Sequence, residues 1–302
     1  MKYKKNSILD TLLRMLAVKI GIVKGRQLVS VFSKTLMIDL DTPGISKAIY
    51  TENYREIDHT NIYSEKLKNK KKILDLGANI GYYMLQSIND SPKNSEVICI
   101  EPDPRNLDLL YENIEHNNVE NRVKVLPGAV TGDEGKVLIE FNKASNLNRI
   151  IDNNQNLKNS FEVNSFSLDS LYKKFGVFDC IRMDVEGAES AILSKNSTIF
   201  LETMPVDSNV FMEIHPLSYV GGEEAMKDAL DKLSACGFSK FEIVTAGRKQ
   251  DKKVTEKNYN SPVNIYKDGK FKRFHYANIS LNDAKYFAIQ KPKIIRYLIA
   301  EK

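Results

Sequence analysis

The chain has 302 residues, of which 42% are hydrophobic and 27% charged, an ordinary globular composition with enough length for one large core, so one catalytic domain with extensions is favoured over two full domains. The net charge of +5 lies at the ends: residues 1–34 carry eight Lys/Arg against one acid, and residues 239–302 carry fifteen against six. The segment between is therefore acidic, the reverse of what a nucleic-acid binder needs in its folded core, and no nucleic-acid partner is expected. Solvated surface is the first reading of the basic ends, and they are also candidates for peripheral contact with an anionic membrane. The three cysteines, Cys99, Cys180 and Cys236, form no CxxC pair and read as buried free thiols of a reducing, cytoplasmic setting.

The first predicted element is "ILDTLLRMLAVKIGIV", residues 8–23, in which Leu9, Leu12, Leu13, Leu16 and Ile20 share one helical face. Asp10, Arg14 and Lys19 interrupt it, so it falls short of the ~18 apolar residues that would span a bilayer. It also lacks the uninterrupted apolar region and small-residue cleavage site of a signal peptide. We expect it to pack on its own domain or on a partner subunit, as in a homo-oligomer, with a membrane surface as second choice.

From Ile73 onward strand-like and helix-like segments alternate. "ILDL" (73–76), "VICIE" (97–101), "RVKVL" (122–126), "FDCIRMD" (178–184), "NVFMEI" (209–214) and "FEIV" (241–244) read as strands, and "KYFAIQ" (285–290) is expected to close the sheet. Helices are expected over 80–89, 103–117, 168–175, from Ala188 to Leu193, and over 222–236. In the second of these Asp103 fits the N-cap and Pro104 the first turn. "AVTGDEGKVLIEF" (129–141) reads as a hairpin, and the Asn-rich stretch 142–160 as a long loop. Such alternation means an α/β fold with a mostly parallel sheet and helices on both faces, whose ligands bind at the carboxyl ends of the strands.

One stretch singles itself out: "KKILDLGANIGYYMLQSI", residues 71–88. Gly77 suits a sharp turn beside a ligand, Gly81 a close approach at the start of the helix. Glu101 ends the next strand, 24 residues after Gly77, where a carboxylate can take two hydrogen bonds from a ribose diol. A pyrophosphate cofactor prefers G-x-G-x-x-G at a helix N-terminus. This loop is G-x-x-x-G with Asp75 just before it, and an acid there repels phosphate and suits a cationic or ammonium-bearing ligand. The loop therefore favours S-adenosylmethionine over a nicotinamide dinucleotide.

"ILDLGANIGYY", "VICIEPDPRNLDLLYENIEHNN", "FSLDSLY" and "FDCIRMDVEGAESAIL" followed by "FMEIHP" resemble the FkbM-type class I methyltransferases, from about residue 36 to about 290. "REIDHTNIY" (55–63) is similar to the family as well, and the Asp-Val-Glu-Gly-Ala-Glu run is the most specific piece. The resemblance implies a Rossmann-like seven-stranded sheet, mostly parallel with its last strand antiparallel, in a methyltransferase domain at 36–302 behind an N-terminal helical extension at 1–35. It implies S-adenosylmethionine as cofactor and a sugar, glycan, glycolipid or polyketide-like hydroxyl as acceptor. It places Gly77, Ala78, Asn79 and Gly81 at the methionine end with Asp75 nearby; Tyr82 joins this set. Glu101 holds the ribose, and Asp103 and the Gly128–Val130 turn, with Ala129, sit near the adenine. The competing reading of Asp103 is a pure helix cap.

Methyl transfer to a hydroxyl needs a positioned acceptor and somewhere for its proton to go. Asp184, Glu186 and Glu189 follow one predicted strand; Glu213 and His215 follow the next. His215 is the expected base, its reference pKa lying near ~6.5, with Asp184 and Glu213 as catalytic partners and Asp184 also near the sulfonium. Glu186 is an expected substrate contact or helix cap. Asp184, Glu213 and His215 could also form a cation site, but no metal is expected. Arg149, in "ASNLNRII", is expected to grip the acceptor. His59, His116 and His275 read as surface residues. A nicotinamide oxidoreductase and a catalytically idle cofactor-binding module are the alternatives.

Overall fold

Residues 2–42, 44–142, 150–151, 159–247, 249–268 and 271–302 are described by the structure, a computed structural model. The N-terminal part holds helix α1 (Ile8–Lys19), the antiparallel hairpin β1 (Arg26–Val31) and β2 (Lys34–Asp39), and helices α2 (Ser46–Glu52) and α3 (Ile57–Leu67). The hairpin straddles residue 35, so the two halves of the expected boundary are joined by strand pairing. β2 packs on the helix that follows the second large-sheet strand, and Asn113 of that helix bonds the Met37 carbonyl at 3.0 Å.

The alternation that follows is regular: β3 (Lys72–Leu76), α4 (Tyr82–Asp90), β4 (Glu96–Glu101), α5 (Pro104–His116) and β5 (Val123–Pro127). Next come β6 (Ala129–Val130), β7 (Gly135–Glu140), β8 (Ile150–Ile151) and β9 (Ser160–Phe166). Then come α6 (Leu168–Phe175), β10 (Cys180–Met183), α7 (Glu189–Ser194), α8 (Thr198–Thr203), β11 (Asn209–Glu213), α9 (Gly222–Ala235) and β12 (Lys240–Thr245). The chain finishes with α10 (Lys252–Glu256), β13 (Asn264–Asp268), β14 (Phe271–Ile279), α11 (Leu281–Ala288) and β15 (Ile295–Glu301).

Among the described residues the large sheet runs β13-β14-β12-β15-β11-β10-β3-β4-β5. β5, β4, β3, β10 and β11 are parallel, and β15 lies antiparallel between β11 and β12. This is the expected seven-stranded sheet, lengthened by the β13–β14 hairpin. Strand period sorts the core into two layers. Leu74, Leu76, Ile98 and Ile100 face one core, while Ile73, Val97, Cys99 and Cys180 face the other.

Three sequence expectations change. "KYFAIQ" lies in α11 and its end, not in a strand: Ser280 caps that helix by accepting from Asp283 N, and Ala284, Phe287 and Ala288 are buried at helical spacing. The closing strand is "IRYLIAE". Residues 129–141 form no hairpin, because β9 comes between, pairing parallel with β6 and antiparallel with β7. His59 and His275 are buried, not on the surface. His59 sits among Tyr63, Tyr83, Phe211 and Tyr297.

The helix α1 forms where expected, with Ser7 as its cap. Its apolar stripe does not pack on its own domain: Leu9, Leu12, Leu13, Leu16 and Ile20 are each more than half exposed. Val18 is the α1 residue that packs against the core, and the exposed Arg14 ties the helix to α2 by donating to the Tyr50 carbonyl at 3.0 Å. No helix among the described residues is long and apolar enough to cross a membrane.

Candidate active site

Strand order reverses between β3 and β10, and clefts in such sheets open there, at the carboxyl ends of the strands. The β3–α4 loop is held from both sides. Gly77 N and Ala78 N donate to the Ile100 carbonyl at 3.0 and 3.1 Å. Gly77 has φ +76°, and a Cβ there would stand 2.1 Å from the Asp184 carbonyl oxygen, so only glycine lets the β3 and β10 ends close up. Gly81 (φ +89°) leaves room for Leu110 of α5 and Met84 of α4, the close approach expected at the helix start.

Glu101 ends β4. Its Oε2 accepts from Asn79 N at 2.8 Å, and its Oε1 from Asp103 N at 2.9 Å and Asn106 Nδ2 at 3.1 Å. Burial pushes the carboxyl up to about 7 against the pull of these donors. The carboxylate lines an apolar cleft with Ile100, Ala129, Val130, Ile139 and Val185 around it. An apolar slot with a carboxylate on its wall, and a glycine turn with no room for a side chain, fit the adenosine end of S-adenosylmethionine.

A second, polar cleft lies alongside, lined by Arg55, Glu56, Tyr82, Tyr83, Glu213 and Arg296 among others. Gly77, Asn79, Asp184 and Glu186 line both clefts, so they form a shared wall. Ala78 and Tyr82 face the polar side, and the Tyr82 hydroxyl accepts from Arg55 N at 3.0 Å.

Two expected cofactor contacts are occupied elsewhere. Asp75 is fully buried and bonds Arg182 Nη1 at 3.1 Å, so it stands behind the loop and not on a cleft wall. Asp103 caps α5 through Arg105 N at 2.8 Å and pairs with Arg105 Nη2 at 2.6 Å, the cap reading of that residue. Arg149 lies outside the described residues.

Arg182 was not singled out from the sequence. Its guanidinium meets Asp75, the Gly77 carbonyl (3.2 Å) and Asp184 Oδ2 (3.0 Å), and lies 4.0 Å from the Tyr83 ring centre. The readable signal was a cation inside the apolar run "DCIRMD", which has to find buried partners; Asp75 is its register neighbour on β3.

His215 follows β11. Its Nδ1 lies 2.7 Å from Oε1 of the fully buried Glu189, and its Nε2 is 3.7 Å from Glu186 Oε2. Burial pushes the ring's pKa down, but the Glu189 carboxylate, helped by Glu213 and Asp184, outweighs it and sets it at about 10. A protonated imidazole accepts no proton, so the expected base carries the wrong charge for that role. Burial, then Asp184, push the Glu186 carboxyl up to about 7. Glu186 has φ +51° and caps no helix, since Ala188 is the N-cap of α7. Glu213 faces Lys293 (3.4 Å) and Arg296 (3.6 Å), not His215.

Among solved structures the chain is similar to a methyltransferase FkbM from Methylobacillus flagellatus KT, at 19% identity and TM-score 0.36 over 49% of this chain, and it spans about a third (33%) of that protein's length. It is similar to an O-methyltransferase from Bacillus cereus in complex with SAH (10% identity, TM-score 0.43, 98% of this chain and 92% of that one). A third likeness is Aeropyrum pernix fibrillarin with bound S-adenosyl-L-methionine (12%, TM-score 0.37, 78% and 68%). No curated protein matches the chain. Residues 75–240, more than half of the chain, match the methyltransferase FkbM domain; the chain therefore belongs to the FkbM methyltransferases and is an S-adenosylmethionine-dependent enzyme.

Proposed function

We propose that the enzyme methylates a hydroxyl group of a polar small molecule or glycan, of the sugar, glycolipid or polyketide-like class. The observation that carries this reading is the shared wall: an apolar cleft suited to adenosine touches a polar cleft along Gly77, Asn79, Asp184 and Glu186. When bound, S-adenosylmethionine supplies a methyl group on a sulfonium, already activated for in-line displacement. Glu101 and the Gly77–Asn79 backbone hold that cofactor. The guanidinium groups and carboxylates of the polar cleft offer the donors and acceptors that a polyol needs, as Arg55, Arg296 and Glu213 line it. As the bound cofactor gave its methyl group to the acceptor oxygen, the hydroxyl proton would pass to the carboxylates of the wall. Glu186, on the wall shared by the two clefts, is the carboxylate placed for that task.

The three cysteines are buried free thiols, which supports a cytoplasmic setting. The test of the reading is mass spectrometry of host glycans and polar small molecules incubated with enzyme and S-adenosylmethionine. Gain of about 14 Da per methyl on a hydroxyl-bearing product is expected. Methylation confined to nitrogen, carbon or sulfur would overturn it.

A further inference from the structure

We propose that Asp184, Glu186 and His215 bind one divalent cation in the wall between the two clefts. Each offers one ligand atom, and these atoms all lie within 4.8 Å of one another. Ligands ~2.0–2.1 Å from a common ion stand roughly 3.0–3.4 Å apart. His215 Nε2 and Glu186 Oε2, at 3.7 Å, need only a small closure to reach that spacing.

A separate observation points the same way. His215 Nδ1 is held at 2.7 Å by Glu189, which is fully buried on α7. An ion here would displace the proton from Nε2 and bind the neutral ring, while the Glu189 carboxylate keeps the remaining proton on Nδ1 and so fixes the tautomer and strengthens Nε2 as a ligand. Nε2 faces Glu186. Glu189 Oε2 has no hydrogen-bond partner among the described residues, so its charge adds to the pull on a cation. Glu213, the third member expected from sequence, is engaged by Lys293 and Arg296 instead; Asp184 gives Oδ2 to Arg182 at 3.0 Å, so it is its other oxygen that serves an ion.

Two carboxylate oxygens and one imidazole nitrogen suit a hard or borderline ion of the Mg2+ or Mn2+ type, with positions left for water and a substrate oxygen. The site rests on the O-methylation reading for its use: a cation in this wall would hold the acceptor hydroxyl and ease loss of its proton.

The test is Mn2+ uptake by the chelator-treated full chain, read as loss of the free Mn2+ paramagnetic resonance signal. One ion per chain is expected, held at least tenfold less tightly in Glu186→Gln and in His215→Gln, and within twofold of the parent in Glu213→Gln. Calorimetry with S-adenosylmethionine checks that each variant is folded. No uptake by the parent at millimolar Mn2+, or equal uptake by the Glu186→Gln/His215→Gln double variant, overturns the site. Mn2+ bound as expected but no hydroxyl methylated leaves the cation site standing and removes the O-methylation reading. Methylation by a chain that takes up no Mn2+ does the opposite.

A second, independent observation concerns α1. Leu9, Leu12, Leu13, Leu16, Ile20 and Ile22 stand exposed together, far more contiguous apolar surface than a water-facing helix carries. We infer that this face lies on an anionic lipid surface. The occupant is chosen by charge: exposed Lys4, Lys19 and Lys24 flank the stripe, and residues 1–34 carry eight cations against one acid. Co-sedimentation with vesicles of phosphatidylglycerol and phosphatidylcholine is expected for the full chain. It should weaken at least tenfold in Leu12→Asp/Leu16→Asp and in pure phosphatidylcholine. No binding to the anionic vesicles overturns the inference, as does a stable dimer in solution that the same double variant dissociates.

Discussion

Gly77→Ala is the sharpest probe of the site's construction. At φ +76° an L side chain costs roughly 1–2 kcal/mol in backbone strain. The new methyl would also stand 2.1 Å from the Asp184 carbonyl oxygen and 3.1 Å from its carbon. Both are main-chain atoms, so no side chain can swing away, and overpacking of this kind costs about 1–3 kcal/mol. The expected loss is thus about 2–5 kcal/mol out of a total of roughly 5–15. Gly21, just past α1, supplies the control: its φ is +75°, and an added Cβ meets nothing within 4 Å. Gly21→Ala should therefore show the strain alone, and the difference between the variants isolates the clash. Urea unfolding followed by far-ultraviolet circular dichroism gives the two stabilities, and calorimetry gives S-adenosylmethionine affinity, which should fall at least tenfold only in Gly77→Ala. Equal destabilisation within about 0.5 kcal/mol, near the scatter of surface substitutions, together with unchanged affinity, would refute the reasoning.

Other outcomes follow from the same geometry. Arg182→Met leaves Asp75 buried beside a missing cation, with a stability loss of about 3–5 kcal/mol expected in urea unfolding; adding Asp75→Asn should recover part of it, and no recovery would sink the pairing argument. Glu101, raised to about 7 by burial, accepts ribose hydroxyl donors only well as a carboxylate. Cofactor affinity should be about tenfold weaker at pH 6 than at pH 8, and Glu101→Gln should flatten that profile. For the apo fold the sign is opposite: a raised carboxyl pKa contributes stability that is present below the ordinary value near ~4.5 and lost as pH rises through about 7. A Glu101→Gln chain whose apo stability keeps the parent's slope between pH 5 and 7.5 would contradict this. Glu242, pushed down to about 2 despite burial by its bonds to His275 and Lys66, contributes stability above the ordinary carboxylate range that is lost as pH falls through about 2; Glu242→Gln should reduce the parent's advantage at pH 7 and leave little difference at pH 2.

The strands of the parallel half were legible because each is a short apolar run ending in a turn signal, and the cofactor cleft was legible because Gly77 and Glu101 sit at two such ends. What escaped depends on pairing across long separations. Nothing local says that Arg182 will meet Asp75, 107 positions earlier, or that Glu189 will take His215 by its Nδ1 and so change its charge. The closing strand was missed for a local reason. "KYFAIQ" is apolar enough for a strand, but its buried residues are spaced three and one apart behind a Ser280 cap, which is helix spacing. The run "IIRYLIA" just after it has the continuous apolar character of a strand covered on both faces. Likewise β9, the alternating segment "SFEVNSF", received no element from the sequence, since it begins where the Asn-rich loop of 142–160 was expected to end.

The place of β15 has a bearing on how the protein is made. This strand is the sole bridge between β11 and β12 in the described sheet, yet it is residues 295–301. While the ribosome is still adding residues 214–294, the parallel half must wait with the edge of β11 uncovered, and the β12–β14 strands have nothing to join. An open strand edge is a template for the wrong partner. The nascent chain therefore needs either rapid synthesis of residues 214–301 or a chaperone at that edge, and a stall between residues 214 and 294 should send it to aggregation or proteolysis, even though every residue of the apolar cleft has already been translated.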